Sequence, residues 1–221
     1  MSERDGTREA YRHCEDLVRI NDKDHFLAGL FAPPPQRQFL YALYAFALEI
    51  ARIKMVVSDP LVGTIRLQWW REALSGSRAE EAAGNPVMSA LLDASEKTAA
   101  SLEPLTAAVE AREAELHGSQ APGAAAAVFM MAARFLGAQD GVVGAAADAA
   151  AKAVALVESE PQMARDAYAA FRALVDKVPD EALPAFLTVS LVPLRLKRPR
   201  VPRWRRQIAL LRAAWFGFPK I

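Results

Sequence analysis

The chain of 221 residues carries a single cysteine, Cys14. One thiol allows no intrachain disulfide and no Cys-x-x-Cys redox pair, which fits a reducing compartment. Histidine is scarce as well. His13, His25 and His117 lie far apart, and none has a second ligand three or four positions away in a zinc pattern. Each is read as a satisfied or exposed side chain. Neither sign of charge dominates: 27 basic residues face 26 acidic ones, for a net charge of +1. Bulk electrostatics therefore gives no reason to expect nucleic acid as a partner. Long apolar runs are missing too. The Ala-rich stretch from Ala124 to Ala133 is too short to span a bilayer, and Arg134 ends it. The start, MSERDGTREAYRHCEDL, is polar and lacks the apolar centre of a secretory signal. A soluble, cytoplasmic chain is the expectation. No GxSxG, P-loop or GxGxxG motif occurs, so these signals of serine hydrolysis and of nucleotide binding are absent.

Strand-type alternation is also absent at useful length, and helical periodicity takes its place. The expectation is an all-α fold in one domain over 1–221, with a core that needs no metal or disulfide staple. Helices are predicted near 8–20, 24–31, 36–57, 64–75, 86–100, 103–117, 122–137, 142–157, 161–177, 180–194 and 203–216. Asn85-Pro86 reads as a helix start, with Asn as cap and Pro in the first turn. Gly76 to Gly84 and His117 to Gly123 read as loops, the second a place for a hinge or a deletion. The segment 121–157 is rich in alanine, whose small side chain lets helices pack closely.

Residues 33–74 carry the most information. From Phe39 to Val57 only Glu49, Arg52 and Lys54 interrupt the apolar positions. A helix apolar nearly all round is covered by neighbours on several sides. Pro33-Pro34-Pro35 opens it, Ser58-Asp59-Pro60 breaks it, and Gly63 reads as a loop position before a helix starting near Thr64. Arg66 and Trp70 stand at i,i+4 on that helix. Arg66 can meet a phosphate and Trp70 can wall an apolar channel. Equally, Trp69 and Trp70 can be core, with Arg66 paired to a carboxylate.

The run Ala45-Phe46, Glu49-Ile50-Ala51-Arg52, Pro60, Gly63 and Ile65-Arg66-Leu67-Gln68-Trp69-Trp70-Arg71 resembles the squalene/phytoene synthase family. Within the family the resemblance is to the divergent branch that includes a mitochondrial complex I assembly factor and its bacterial relatives. Asp24-His25-Phe26-Leu27-Ala28 through Phe31-Ala32-Pro33 resembles the family's opening motif, and Glu110-Ala111-Arg112 with Glu115-Leu116 resembles a later helix. The likeness is strong over roughly 16–116, patchy to about 180 and moderate afterwards, where Leu183 to Leu194 and Arg206 to Ala213 resemble the family's ending. The resemblance implies a helical bundle of the isoprenoid synthase type, shortened in its second half.

Enzymes of this family join two prenyl diphosphates, and they hold Mg²⁺ with two aspartate-rich DxxxD-type helical motifs facing each other across the bundle. Carboxylates at i and i+4 share one helix face and can share a metal cluster. In this chain the two acids of the first motif align with Ala51 and Met55. The stretch expected to hold the second, GAQDGVVGAAADAAAKAVALVES, offers Asp140, Asp148 and Glu158, with Glu160 just beyond, and no acid pair at i,i+4. Asp93 with Glu96 and Glu110 with Glu113 have helical spacing, but such pairs are common on solvated faces. No metal site and no cofactor is expected.

The tail has a character of its own. Arg195, Lys197, Arg198, Arg200, Arg203, Arg205 and Arg206 fall within twelve positions, and Pro199 and Pro202 keep the middle extended. A basic linker at 195–206 is expected to touch an anionic membrane surface. The helix at 203–216, with Trp204, Ile208, Leu211, Trp215 and Phe216, is expected to pack on the bundle.

The resemblance and the missing acids imply a catalytically degenerate accessory or assembly factor for a respiratory complex of the complex I type. Its partners would be a protein of that complex and an isoprenoid or lipid held near Tyr41, Tyr44, Glu49, Arg52, Lys54, Arg66, Trp70 and Arg71. The alternative is an active head-to-head prenyl diphosphate transferase. There Arg52, Lys54, Arg66 and Arg71 would bind diphosphate, and Glu49 or Glu110 would hold Mg²⁺. A docking adaptor with no small ligand is a third reading.

Overall fold

The computed structural model describes residues 3–118, 123–138, 141–198 and 200–220. Among them are twelve α-helices and one 3-10 segment, and no strand. In chain order they are α1 (Glu3–Asn21), α2 (Lys23–Gly29), α3 (Pro34–Val56), α4 (Pro60–Leu74), α5 (Ala79–Gly84), α6 (Pro86–Thr98) and α7 (Pro104–Leu116). Then come α8 (Gly123–Phe135), α9 (Val142–Ala155), α10 (Pro161–Val175), the 3-10 segment (Asp180–Leu191), α11 (Val192–Lys197) and α12 (Arg203–Phe216). The all-α expectation holds. The hinge expected between His117 and Gly123 falls largely on 119–122, outside the described residues.

Helix α3 is central because its sequence leaves it no polar face. Phe39 through Phe46, Ile50 and Ile53 are buried, and α1, α4, α6, α7 and α8 pack around it. Among the described residues one buried cluster runs from Ala10 in α1 to Phe218 beyond α12. Aromatic pairs tie the layers together: Phe46 meets Trp70 edge-on at 5.3 Å, and Phe129 stacks on Phe186 at 5.7 Å. In α8 and α9, Ala132, Ala133, Ala146, Ala147 and Ala150 are buried, so the alanines serve close packing.

Four local expectations are corrected. Gly63 is no loop residue: α4 begins at Pro60, with Asp59 accepting from the Leu61 N–H as cap. The glycine lets α4 approach α7, since a Cβ there would lie 2.6 Å from Leu116 Cδ1. The expected loop over 76–84 contains α5, which buries Ala82. Arg78 holds this short helix by bonds to Glu72 and Glu81, and Trp69 Nε1 donates to Glu81 at 3.0 Å. The helix expected over 180–194 is a 3-10 segment to Leu191 and an α-helix after it. Pro184 inside the segment has no N–H for a helical bond. Residues 195–197 therefore belong to α11, and the linker before α12 is shorter than 195–206. Arg198 and Pro202 are extended as expected, while Pro199 lies outside the described residues.

Candidate functional site

A cavity of about 330 Å³ lies between α3 and the second half of the bundle. Its apolar wall is made by Ala47, Leu48 and Ala51 of α3, Ala124, Val128 and Phe129 of α8, and Val154 of α9. Small side chains predominate there, and that leaves the space open. Polar groups gather elsewhere on the lining: Asp22, Asp24 and His25 around the start of α2, Tyr44, Arg112, Thr188 and Arg195.

The α2 start is built by local capping. Asp22 is the N-cap, its carboxylate accepting from the His25 N–H at 3.0 Å and bonding His25 Nδ1 at 2.7 Å. A carboxylate only accepts, so Nδ1 carries the proton and Nε2 is left for another partner. Burial raises the Asp22 pKa, but the charge and hydrogen bonds of His25 and the α2 N–H groups outweigh it and bring it down to about 2. The His25 ring lies 4.6 Å from that of Tyr44. Asp24 is buried and meets Arg206 at 2.9 Å and Arg195 at 3.8 Å. Burial pushes its carboxyl above the usual range even so, with the arginines pulling the other way. Two hydroxyls on the lining have no partner. Tyr44 Oη and Thr188 Oγ1 are buried and unbonded, and the Arg112 Nε is likewise without an acceptor. Arg112 otherwise pairs with Glu115 at 2.8 Å.

The eight residues singled out from the sequence do not come together. Tyr44 lines the cavity. Tyr41 stacks on Phe26 at 5.4 Å, donates its hydroxyl to Phe26 O at 3.0 Å, and sits against Gly29, where a Cβ would meet its ring at 2.5 Å. Trp70 is core against Phe46, as the plainer reading of the tryptophans has it, and Trp69 is half-buried. Arg71 binds Glu113 and Gln68, joining α4 to α7. Glu49 is half-buried off the cavity, and Arg52, Lys54 and Arg66 are exposed. Arg66 forms no ion pair among the described residues, and as an exposed side chain it does not share the buried face of Trp70. Glu110, the other alternative Mg²⁺ ligand, is exposed. Sequence reasoning named none of Asp22, Asp24, His25, Arg112, Thr188 and Arg195 as site residues, reading His25 as a satisfied or exposed side chain and placing Arg195 in the basic linker. Asp24, His25 and Arg112 stood inside motifs already quoted for the family resemblance. Thr188 had no signal at all.

The residues present do not fit the family's Mg²⁺ cluster. Ala51 forms cavity wall and Met55 is 84 % exposed, and neither offers an oxygen. The two acids of the lining, Asp22 and Asp24, are already engaged by His25 and by two arginines. Asp148, Glu158 and Glu160 are exposed, and Asp140 lies outside the described residues. Asp93 accepts from Tyr11 at 2.6 Å and pairs with Lys97. Among the described residues no group of three or more His, Cys, Asp or Glu side chains is placed to hold a metal ion.

Comparison with known proteins agrees with the resemblance. The squalene/phytoene synthase family matches residues 18–158, more than half of the chain. NADH dehydrogenase (ubiquinone) complex I, assembly factor 6, of Bos taurus is 33 % identical over 76 residues, covering 34 % of this chain and 23 % of the relative. The Rattus norvegicus protein of that name is 30 % identical over 82 residues, covering 37 % and 25 %. The Homo sapiens protein is 31 % identical over 75 residues, covering 34 % and 22 %. The matched segment thus spans about a quarter of these curated relatives. No solved structure matches. The helical architecture and the extent of the match give one conclusion: the chain belongs to the squalene/phytoene synthase family.

Proposed function

We propose that this chain is a family member without transferase chemistry. It binds an isoprenoid or another lipid in the α3 cavity, and serves as an accessory or assembly factor for NADH:quinone oxidoreductase at the cytoplasmic face of a membrane. It works with no resident cofactor and does not act on nucleic acid. One observation carries the reading: Ala51, aligned with a metal-binding acid of the enzymes, is part of an apolar cavity wall. The enzymes of the family need carboxylates there to hold the Mg²⁺ ions that neutralise a leaving diphosphate. An alanine removes the charge and leaves space for hydrocarbon. The partnerless Tyr44 and Thr188 hydroxyls favour an occupant with a polar head. The assembly role rests on the name borne by the relatives from Bos taurus, Rattus norvegicus and Homo sapiens. The basic region from Arg195 onward favours contact with an anionic surface.

Deletion of the gene is expected to leave NADH:quinone oxidoreductase incompletely assembled on a native gel, with the wild-type gene restoring it. Full assembly in the deletion strain would overturn the role. Purified protein given prenyl diphosphates and Mg²⁺ is expected to release no pyrophosphate. In calorimetry, farnesyl diphosphate is expected to bind no more tightly with Mg²⁺ than with EDTA. Tight, Mg²⁺-dependent binding would restore the transferase reading.

A further inference from the structure

Helix α12 turns its apolar residues the unexpected way. Its inward face is Leu210 and Ala213, both buried, with Arg206 reaching Asp24. The larger apolar side chains point out: Trp204 is 57 % exposed, Ile208 47 %, Leu211 49 % and Trp215 76 %. Their spacing of i, i+4, i+7 and i+11 places them on one stripe about 16 Å long. Phe216, 80 % exposed, ends α12 about 100° round the helix from Trp215. Arg205 and Arg212 flank the stripe, and the Arg205 guanidinium lies 5.1 Å from the Trp204 ring centre. The helix packs on the bundle as expected, against the 3-10 segment and α2, but through Leu210 and Ala213 and not through these larger apolar residues.

The surrounding charge names the occupant. The whole chain is balanced, but residues 182–221 hold nine basic residues and no acidic one. Arg195 and Arg206 are engaged by Asp24. Lys197, Arg198, Arg200, Arg203, Arg212 and Lys220 are exposed, with no ion pair among the described residues. Beside the stripe runs a groove of about 530 Å³, with Leu194, Ile208 and Phe216 on its walls and Lys197, Arg212 and Lys220 along it. Tryptophans at both ends of an apolar stripe, flanked by cations that outnumber the two acids sharing a groove with Trp215, Asp176 and Asp180, match a headgroup layer of negative charge. A protein interface of this kind would need a partner surface of one sign only. No helix among the described residues is long and apolar enough to cross a membrane.

We propose that the outward face of α12 is a membrane-docking surface for anionic phospholipid, with Trp204, Ile208, Leu211 and Trp215 sunk among the headgroups and the flanking arginines on phosphates. This deepens the membrane part of the function proposed above, and it moves the contact from the linker to the helix.

The full chain is tested by flotation with vesicles of phosphatidylcholine alone and of phosphatidylcholine mixed with phosphatidylglycerol. The protein is expected to float with the anionic vesicles only, and brominated lipid is expected to quench its tryptophan fluorescence. Trp204→Ser with Trp215→Ser is expected to lower partitioning about a hundredfold, from two interfacial side chains at about tenfold each. Arg205→Gln with Arg212→Gln is expected to lower it about thirtyfold, at about 1 kcal/mol per cation. All four side chains lie on the outer face or its flanks, and circular dichroism checks that the fold is kept. Failure of the wild type to float, or flotation indifferent to the tryptophan change with no quenching, overturns the proposal. So does a tryptophan variant that impairs complex assembly in cells while the wild type ignores both vesicles, which makes the stripe a protein-docking face. Flotation as expected beside normal assembly in a deletion strain would sink the assembly role and leave the membrane surface standing.

Discussion

Replacing Tyr44 by phenylalanine removes one atom, the buried hydroxyl oxygen that has no partner on the cavity lining. The ring stays, and with it the contact to His25 at 4.6 Å. Burial, reinforced by the nearby Asp22 and Tyr41, pushes the hydroxyl pKa above its ordinary value, so it is neutral at physiological pH. An unsatisfied buried hydroxyl costs about 1–3 kcal/mol. Tyr44→Phe should therefore stabilise the ligand-free protein by about 1 kcal/mol or more, raising the melting temperature by about 2–4 °C for each kcal/mol in a chain of this size. The same change should weaken binding of a polar-headed lipid such as farnesol, because the hydroxyl is held unbonded for that head. Thr188→Val tests the second hydroxyl with nearly the same shape. Thermal and urea melts of the free protein, with a farnesol titration monitored by tryptophan fluorescence, give both quantities. A gain in stability with a loss of affinity is the pattern of a binding site kept at a cost to the fold. Loss of more than about 1 kcal/mol in the free protein would refute the reasoning, since it would mean the hydroxyl is bonded there.

Other perturbations follow from the same geometry. Asp24→Ala leaves Arg206 and Arg195 facing a buried gap and should cost about 3 kcal/mol, seen in urea unfolding and in faster proteolysis around α12. Gly63→Ala should destabilise by about 1–2 kcal/mol, although alanine is the better helix former, because its Cβ would meet Leu116 Cδ1 at 2.6 Å. Combining it with Leu116→Ala should cost less than the sum of the two single changes. Asp22 has its folded pKa held at about 2, below the ordinary 3.8, so its contribution is present above pH 3.8 and lost as pH falls through 2. An acid titration of stability should show this loss in the wild type and a flatter limb in Asp22→Asn.

The parts of the fold that sequence made legible are those where one local signal is enough. The apolar run of α3, the Asn85-Pro86 start of α6 and the alanine weight of α8 and α9 are of this kind. Helix α5 was hidden because it buries little beyond Ala82 and depends on Arg78, Glu72 and Trp69 from its neighbours. The 3-10 segment looked α-helical because its apolar residues are nearly all buried, which blurs periodicity. The site was harder to read for a related reason. On a helix apolar all round, sequence does not tell a residue facing a cavity from one facing another helix. Tyr41 and Tyr44 are three positions apart, yet one rests on Gly29 and the other lines the cavity. In α12 the stripe was visible in the sequence, but which medium it meets was not.

The carboxylate of Asp24 is held in common by a residue of the cavity wall and a residue of the C-terminal helix. Arg195 and Arg206 both face its Oδ2. A ligand headgroup that draws Arg195 toward itself would leave Asp24 more fully to Arg206, and α12 would be seated more firmly. By linkage, whatever fixes α12 from outside must favour that headgroup by the same free energy. Cavity and lipid surface would then share one thermodynamic account, with Asp24 as the joint between them.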